Sequence, residues 1–284
     1  DVTLIARETH VQAINGNGLI IDYQQSTQRI ALNAETGYES LQDADLVFLC
    51  VKSPDTAKVS KEIASYLKKN TVILSLQNGV DNVYRAGEVL SQDIFPAVVY
   101  VAVGMAGPGR VKHFGRGELV LGAMQNIEYR NSQILQQIAT LFTNHGVPTT
   151  VSERIKDELW LKFLVNCIYN GISAIGQIEY GQMVEIKEVN DFIENLTHEF
   201  LLIAKAEGAR LSWEQAMLAN QKIAQTMKHQ KSSTSQDLLK KKVTEIEFLN
   251  GYIVKKGLEF EIPTPSHQAL YAMVKMLEHI NTLA

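Results

Sequence analysis

The segment SERIKDELWLKFLVNCIYNGISAI, residues 152–175, carries the strongest structural signal in the sequence. As a helix it leaves almost no polar face, and helices that are apolar all round are usually buried. Lys162, Asn166 and Asn170 nevertheless recur at every fourth position, so they would lie one above another. The stretch therefore predicts a buried helix with one polar line. A buried lysine is costly without a partner or a task, and the alternative is a structural lysine or one that reaches the surface.

Toward the N terminus, the chain alternates between strand and helix patterns. Residues 45–51 and 71–76 are continuous apolar runs of strand length, which are typical of parallel strands covered on both faces, and Pro54 opens a helical pattern between them. This order of strand, helix and strand indicates a doubly wound sheet. Further strand patterns occupy residues 2–5, 19–23, 29–32, 97–103 and 147–151, with a hairpin through 111–113 and 119–122.

From residue 152 onward the apolar period is helical throughout. The predicted helices are residues 152–175, 189–207, 213–229, 235–256 and 265–282. The fold class is therefore α/β, with a doubly wound sheet followed by an all-α C-terminal domain. The domain boundary is predicted near residue 151, which gives domains 1–151 and 152–284.

Composition narrows the classes of function. A chain of 284 residues with net charge -4 is not expected to bind nucleic acid, and no apolar run is long enough to span a membrane. Cys50 and Cys167 lie in apolar runs, which predicts buried thiols in a reducing cytoplasm. The seven histidines, His113 among them, lack metal-ligand spacing, so no metal is expected. The absence of a Gly-x-Ser-x-Gly elbow and of paired carboxylates argues against a hydrolase.

Three polar residues follow predicted strands of the sheet. Arg7, Lys52 and Asn78 each come shortly after an apolar run. Ligands of doubly wound sheets collect at the carboxyl ends of the strands. These three side chains are therefore candidates for a small-molecule site.

Two further candidates lie in the C-terminal part. Glu245 is near the apolar seam of the helix predicted at 235–256, where a carboxylate is a candidate partner for Lys162 and a solvated carboxylate is the alternative. Ser233 belongs to the cluster Ser-Ser-Thr at 232–234, which is first of all an N-cap signal. Its hydroxyl can also donate a hydrogen bond to an anionic substrate.

Four segments of the chain, in this order, resemble successive blocks of the ketopantoate reductase (2-dehydropantoate 2-reductase) family: DADLVFLCVKS at 43–53, VILSLQNGVDN at 72–82, ELWLKFLVNCIYNGISAI at 158–175 and VTEIEFLNGYIVKKG at 243–257. The resemblance implies an N-terminal Rossmann domain that binds NADPH, a helical C-terminal domain and an active site between them. It further implies a cytoplasmic enzyme that transfers a hydride from NADPH to the keto group of 2-dehydropantoate. The product would be pantoate, on the route to pantothenate and coenzyme A.

The resemblance also implies a role for each candidate residue. Lys162 would be the general acid that protonates the carbonyl oxygen, and Glu245 would be the second catalytic residue, which grips the substrate hydroxyl. The substrate would be bound by Asn166, Asn170 and Ser233. The cofactor would be bound by Arg7, Lys52 and Asn78. An arginine such as Arg7 accommodates the 2′-phosphate of NADP, whereas an acidic residue would read the ribose of NAD.

Two departures from the family pattern bear on the substrate. Tyr180 stands where family members carry another asparagine, and Gly171 replaces a proline. Two rivals therefore stay open: a reductase of another branched 2-oxo acid, and an inactive NADP-binding regulator. For either of the two reductases, the expected partner is a small 2-oxo acid. A homodimer is one candidate assembly.

The glycine-rich turn that binds the pyrophosphate is absent from the sequence. The ribose-reading position normally follows that turn by about 20 residues, whereas Arg7 has six residues before it. We therefore expect a preceding strand, glycine turn and helix in the intact protein. Without them, the strands at 2–5 and 45–51 would lack a shared neighbour.

Overall fold

The computed structural model describes residues 1–124 and 129–283. The chain separates into two compact units. The first comprises Asp1–Val51, Asp55–Gln77 and Val83–Ile155, and the second comprises Lys52–Pro54, Asn78–Asn82 and the chain from Lys156 onward. Two short segments that follow predicted strands thus belong to the helical unit. The assignment of residues 1–151 to cofactor binding and 152–284 to catalysis stays a prediction.

The first unit is an α/β structure, as the sequence predicts. Its strands are β1 (Thr3–Ile5), β2 (Leu19–Asp22), β3 (Thr27–Ile30), β4 (Asn33–Glu35), β5 (Leu46–Leu49), β6 (Val72–Ser75), β7 (Asp93–Gly107), β8 (Arg110–Leu121) and β9 (Thr149–Val151). Its helices are α1 (Glu8–Asn17), α2 (Thr56–Ile63), α3 (Asn82–Gly87, whose first residue belongs to the second unit) and α4 (Tyr129–Asn144).

The larger sheet has the order β3-β2-β8-β7-β6-β5, with β9 beside β8. Strands β5, β6 and β7 are parallel, whereas β7 and β8 form a long antiparallel pair. Strand β1 pairs only with β4 among the described residues, in a separate parallel sheet. β1 and β5 therefore do not share a sheet, and the expectation of a preceding strand stays a prediction.

Strand β6 is covered on both faces, as its apolar run predicts. Val72 and Leu74 pack in one cluster with residues of α4, whereas Ile73 packs in another with residues of α2 and α3. The expectation does not hold for β5, which lies at the edge of the sheet. Phe48 on β5 is exposed and has one ring neighbour, Phe142, at 5.6 Å between centroids. Cys50, directly after β5, is also exposed, so the prediction of a buried thiol there is wrong.

Helix α1 continues through residues 15–17 and ends at Gly18, whose φ is 73° and whose N–H bonds the carbonyl of Ile14. One other local prediction in the first unit is wrong. The hairpin is not formed within residues 111–122, because residues 111–121 belong to the single strand β8. The turn lies at residues 108–109, where Gly109 has a φ of 62°.

The second unit is helical and is built around α5 (Ile155–Gly176). Its other helices are α6 (Tyr180–Met183), α7 (Lys187–Ala206), α8 (Trp213–Thr226), α9 (Ser233–Leu239), α10 (Asn250–Glu259) and α11 (Pro265–Leu283). Trp160 and Phe163 on α5 are each 1% exposed and make edge contacts with Phe200 or Tyr252. Among the helices of the described residues, none is both long and apolar enough to cross a membrane.

The prediction of one continuous helix over residues 235–256 is wrong, because α9 and α10 are separate helices. Helix α9 ends in a Schellman motif, in which the N–H of Lys242 bonds the carbonyl of Asp237 and the N–H of Lys241 bonds that of Leu238. Lys241 takes the left-handed conformation, with a φ of 52°. Glu245 therefore lies on no α-helix and instead precedes a short 3₁₀ turn, Ile246–Phe248, before α10.

Candidate active site

The predicted polar line is present on α5. Lys162 and Asn166 are half-buried, and Asn170 is only 6% exposed. Apart from the half-buried Val165, the residues between them on the helix are buried, and most of their surface is apolar: Phe163, Leu164, Cys167, Ile168 and Tyr169. An ammonium and two amides thus share one side of a helix whose remaining surface packs into the core.

Asn170 is held by two neighbouring segments. Its Oδ1 accepts a hydrogen bond from the Tyr180 hydroxyl at 3.2 Å. Its backbone carbonyl accepts one from Ser232 Oγ at 3.1 Å. Ser232 Oγ also accepts the N–H of Ser235 at 2.9 Å and so caps α9. The N-cap predicted in the Ser-Ser-Thr cluster is therefore Ser232, which links the start of α9 to Asn170.

Tyr180 is fixed from several sides. Its own N–H bonds the carbonyl of Gln230, and the N–H of Gly181 bonds that of Lys228. A capping box between Glu179 and Gln182 closes the start of α6. The ring lies edge-on to Tyr169, at 5.2 Å between centroids. Burial raises the pKa of the Tyr180 phenol, so the hydroxyl keeps its proton.

Glu245 is positioned by the segment Lys52–Pro54. Its Oε1 accepts the backbone N–H of Ser53 at 3.0 Å. Ser53 Oγ donates to the carbonyl of Asn78 at 3.3 Å, and Asn82 Nδ2 donates to the same carbonyl at 2.7 Å. These bonds connect the candidates Glu245 and Asn78 through one buried serine, which directly follows Lys52 in the chain.

Lys52 lies next to that serine but has an acidic partner. Its Nζ is 2.7 Å from Asp237 Oδ2 on α9, with side chains 48% and 18% exposed. A pair this exposed contributes little stability. Its effect is to place a cation beside the segment that holds Glu245. Ammonium, amide and carboxylate groups of this kind can hold a substrate anion and protonate an oxygen on which negative charge develops.

Within the described residues, Ser233, Arg7 and His113 take no part in the contacts around Asn170 and Glu245. The Ser233 side chain is exposed at the first position of α9, whereas its neighbour Ser232 makes the contact with Asn170. Arg7 belongs to the first unit, where it is exposed between β1 and α1. His113 is half-buried, and its Nε2 lies 2.7 Å from the carbonyl of Arg116, as expected for a hydrogen-bonded histidine.

Sequence reasoning missed three residues of the site. Ser53 contributes a backbone N–H, which no side-chain pattern reveals. Asp237 pairs with a residue 185 positions away, and nothing in the local sequence marks that contact. Ser232 had a signal, the N-cap cluster, but the sequence does not show which serine faces α5. No group of three or more His, Cys, Asp or Glu side chains in residues 1–124 and 129–283 is arranged to hold a metal ion.

Comparison with known proteins gives two matching family models. The model described as "Ketopantoate reductase PanE/ApbA" matches residues 1–126. The model described as "Ketopantoate reductase PanE/ApbA C terminal" matches residues 154–278. A curated relative, the 2-dehydropantoate 2-reductase of Halobacterium salinarum, is 29% identical over 98% of this chain and 91% of its own length.

Solved structures agree with these matches. The chain is similar to a PanE/ApbA family ketopantoate reductase from Ralstonia eutropha JMP134, with 40% identity and a TM-score of 0.91 over 99% of this chain and 91% of the other. It is also similar to D-mandelate dehydrogenase solved with NADH, with 25% identity and a TM-score of 0.88 over 98% and 91% of the two chains. These matches agree with the α/β fold followed by a helical C-terminal region.

Proposed function

Because this chain belongs to the ketopantoate reductase family, whose members are oxidoreductases, we propose that it reduces the keto group of 2-dehydropantoate to pantoate with NADPH. The observation that carries the proposal is the polar line of α5. Lys162, Asn166 and Asn170 follow one another at a spacing of four on a helix that is otherwise buried. Polar groups are rarely placed in such surroundings without partners or a function.

Lys162 acts as the general acid in this proposal. The carbonyl oxygen becomes an alkoxide during reduction and needs both a nearby cation and a proton. The Lys162 ammonium supplies both, since it stands on a half-buried helical face where water competes less. Asn166 and Asn170 orient the substrate by donating amide hydrogen bonds. Glu245, held by the Ser53 N–H, accepts the substrate hydroxyl and fixes its position.

Three residues that follow strands are the cofactor-binding candidates of this proposal. Arg7 follows β1, Lys52 follows β5 and Asn78 follows β6, and all three are exposed. When bound, the nicotinamide supplies the hydride. Arg7, which makes no ion pair within residues 1–124 and 129–283, binds the 2′-phosphate that distinguishes NADPH. Lys52 and Asn78 contact the rest of the cofactor.

The test is Lys162→Met, which keeps the length of the side chain and removes its charge and protons. We expect kcat to fall by about 100- to 10,000-fold, the usual contribution of a general acid. NADPH affinity, measured by calorimetry, should stay near the parent value. Lys156→Met is the matched control, because Lys156 lies on the same helix and donates to the carbonyl of Glu207. A kcat in Lys162→Met equal to that of the control overturns the assignment.

A second candidate function is reduction of another 2-oxo acid. The similarity to D-mandelate dehydrogenase, an enzyme of an aryl 2-hydroxy acid, supports it. Tyr180 supports it as well, because its ring contacts Tyr169 and its hydroxyl donates a hydrogen bond to Asn170. The deciding experiment is a panel of 2-dehydropantoate, 2-oxoisovalerate and phenylglyoxylate with NADPH and with NADH. The highest kcat/KM identifies the substrate class, and no turnover with any of them favours an inactive regulator.

A further inference from the structure

The hydrogen bond between Tyr180 and Asn170 fixes which end of an amide faces the site. An asparagine side chain offers an acceptor, Oδ1, at one end and two donor hydrogens at the other. The Tyr180 hydroxyl lies 3.2 Å from Oδ1 and has this oxygen as its partner within the residues that the structure describes. If the amide were reversed, the phenol would accept a hydrogen bond and its own proton would be buried without a partner, which is unfavourable.

We propose that Tyr180 is a positioning residue that locks the Asn170 amide with its NH₂ group toward the substrate. The inference rests on the proposed function, in which Asn170 binds substrate. This orientation makes the site specific. The Asn170 NH₂ group binds a substrate oxygen with free lone pairs, such as a carboxylate or carbonyl oxygen of a 2-oxo acid. A substrate group that can only donate hydrogen bonds is rejected there, because it would face a second donor.

Tyr180 can impose this orientation because it does not move easily. Its backbone and that of Gly181 bond the carbonyls of Gln230 and Lys228. A methyl group added at Gly181 would lie 2.2 Å from Lys228 Cγ, so the two segments are in close contact. The Tyr180 side chain is 7% exposed. Burial also keeps the phenol protonated by raising its pKa, so it remains a donor across the working pH range.

The orientation of Asn170 is further restrained from its backbone. Ser232 Oγ donates to the Asn170 carbonyl, and the Ser232 N–H donates to Ser173 Oγ one turn further along α5. The amide can therefore change its donor direction only by rotation about its own side-chain bonds. The Tyr180 hydroxyl is the contact that opposes this rotation.

The first experiment compares Tyr180→Phe, Asn170→Ala and the double variant in steady-state kinetics. Tyr180→Phe should raise KM for the 2-oxo acid about three- to tenfold, the effect of one net hydrogen bond, with a smaller change in kcat and none in KM for NADPH. The double variant should have the same KM as Asn170→Ala, because Tyr180 acts through Asn170. Full additivity of the two effects overturns the proposal.

Tyr169→Phe is the matched control. Its phenol is also buried and donates at 2.7 Å, but to the backbone carbonyl of Asn220 rather than to Asn170. We expect this variant to lose stability and to keep the parent KM for the 2-oxo acid. An equal rise of KM in both variants would mean that loss of any buried phenol is enough, which contradicts a specific role of Tyr180.

A second measurement does not depend on turnover. The side-chain amide signals of Asn170 in ¹⁵N-labelled protein are assigned by their loss in Asn170→Ala. They should shift in Tyr180→Phe and stay in place in Tyr169→Phe. If no 2-oxo acid is turned over by the parent, the proposed function fails and the specificity with it, while these signals still decide whether Tyr180 orients Asn170. Unchanged signals in Tyr180→Phe overturn the orientation itself.

Discussion

Glu245 shows how one backbone group can position a charged side chain. Its Oε1 accepts the N–H of Ser53, a residue that is 1% exposed. The other carboxylate oxygen is left to take a substrate hydroxyl in the proposed reaction. Because the bond comes from the main chain, it survives substitution of the Ser53 side chain, and the test must be made at Glu245.

We expect Glu245→Gln and Glu245→Ala to differ in a defined way. Glutamine still accepts the Ser53 N–H, so its stability should be near that of the parent, while KM rises and kcat falls because the negative charge is lost. In Glu245→Ala the buried Ser53 N–H loses this acceptor, so the free energy of unfolding should also fall, by about 1–3 kcal/mol. Kinetics and urea unfolding of both variants provide the measurements. Parent-like KM and kcat in Glu245→Gln would make the residue purely structural.

Arg7 is expected to decide between NADPH and NADH. We predict that Arg7→Ala raises KM for NADPH about tenfold, which corresponds to ~1.4 kcal/mol for an exposed ion pair with the 2′-phosphate, and leaves KM for NADH unchanged. Arg29→Ala removes the same charge from the exposed strand β3 and serves as the control. Steady-state kinetics with both cofactors make the comparison. Equal use of NADPH and NADH by the parent would contradict the role of Arg7.

Helices α5 and α11 approach each other closely at Gly171. A Cβ added there would lie 2.7 Å from both Cγ and Cδ2 of Leu270. The φ of Gly171 is not in the left-handed region, so the backbone conformation does not require glycine. Glycine is needed there because a larger side chain would collide with Leu270.

We predict that Gly171→Ala destabilises the second unit by about 1–3 kcal/mol, the usual cost of overpacking. Adding Leu270→Val should recover part of this loss. Gly16→Ala is the matched control, because Gly16 is also helical and nothing lies within 4 Å of its added Cβ. That variant should be neutral or gain up to about 1 kcal/mol. Urea unfolding measures all of them, and a Gly171→Ala variant as stable as the parent would contradict the packing.

At the scale of the whole molecule, the buried histidine of α11 contributes to how stability depends on pH. Asn250 Nδ2 donates to His267 Nδ1 at 3.0 Å, and Nε2 lies 3.0 Å from the carbonyl of Leu196. The ring is therefore neutral, with its proton on Nε2. Burial lowers the pKa of His267 from 6.5 to about 4, although the Leu196 carbonyl and the Glu199 charge favour the protonated form.

The sign of the effect follows from proton counting. Between pH 6.5 and about 4 the unfolded chain binds one more proton at this residue than the folded chain does, so the free energy of unfolding falls as pH falls. The slope is at most about 1.4 kcal/mol per pH unit. Above pH 6.5 the contribution is complete.

The measurement is urea unfolding followed by tryptophan fluorescence at pH 7.5, 5.5 and 4.5. Both tryptophans, Trp160 and Trp213, lie in the second unit, so the signal reports on the unit that contains His267. His267→Gln should flatten the pH dependence, whereas His279→Gln, an exposed histidine on the same helix, should not. Parallel pH profiles for the parent and His267→Gln would refute this source of the effect.

The elements that could be predicted from the sequence are those whose signal is local. The apolar runs of β5 and β6, the helical period of α5 and the start of α11 at Pro265 all depend on neighbours within one or two turns. The polar line of α5 follows from the spacing of four alone. The helix break after Leu239 could not be predicted from the sequence, because Lys241 takes the left-handed conformation at a position where glycine is the usual signal.

The tertiary structure alone decided which of these residues meet. Ser53 and Glu245 are 192 positions apart, and Lys52 and Asp237 are 185 apart. The sequence pattern can name a carboxylate and a lysine but not their partners, because such contacts depend on how loops close and helices pack over long distances along the chain. For the same reason, only the structure shows that Tyr180 bonds Asn170 and that Ser232, rather than Ser233, faces α5.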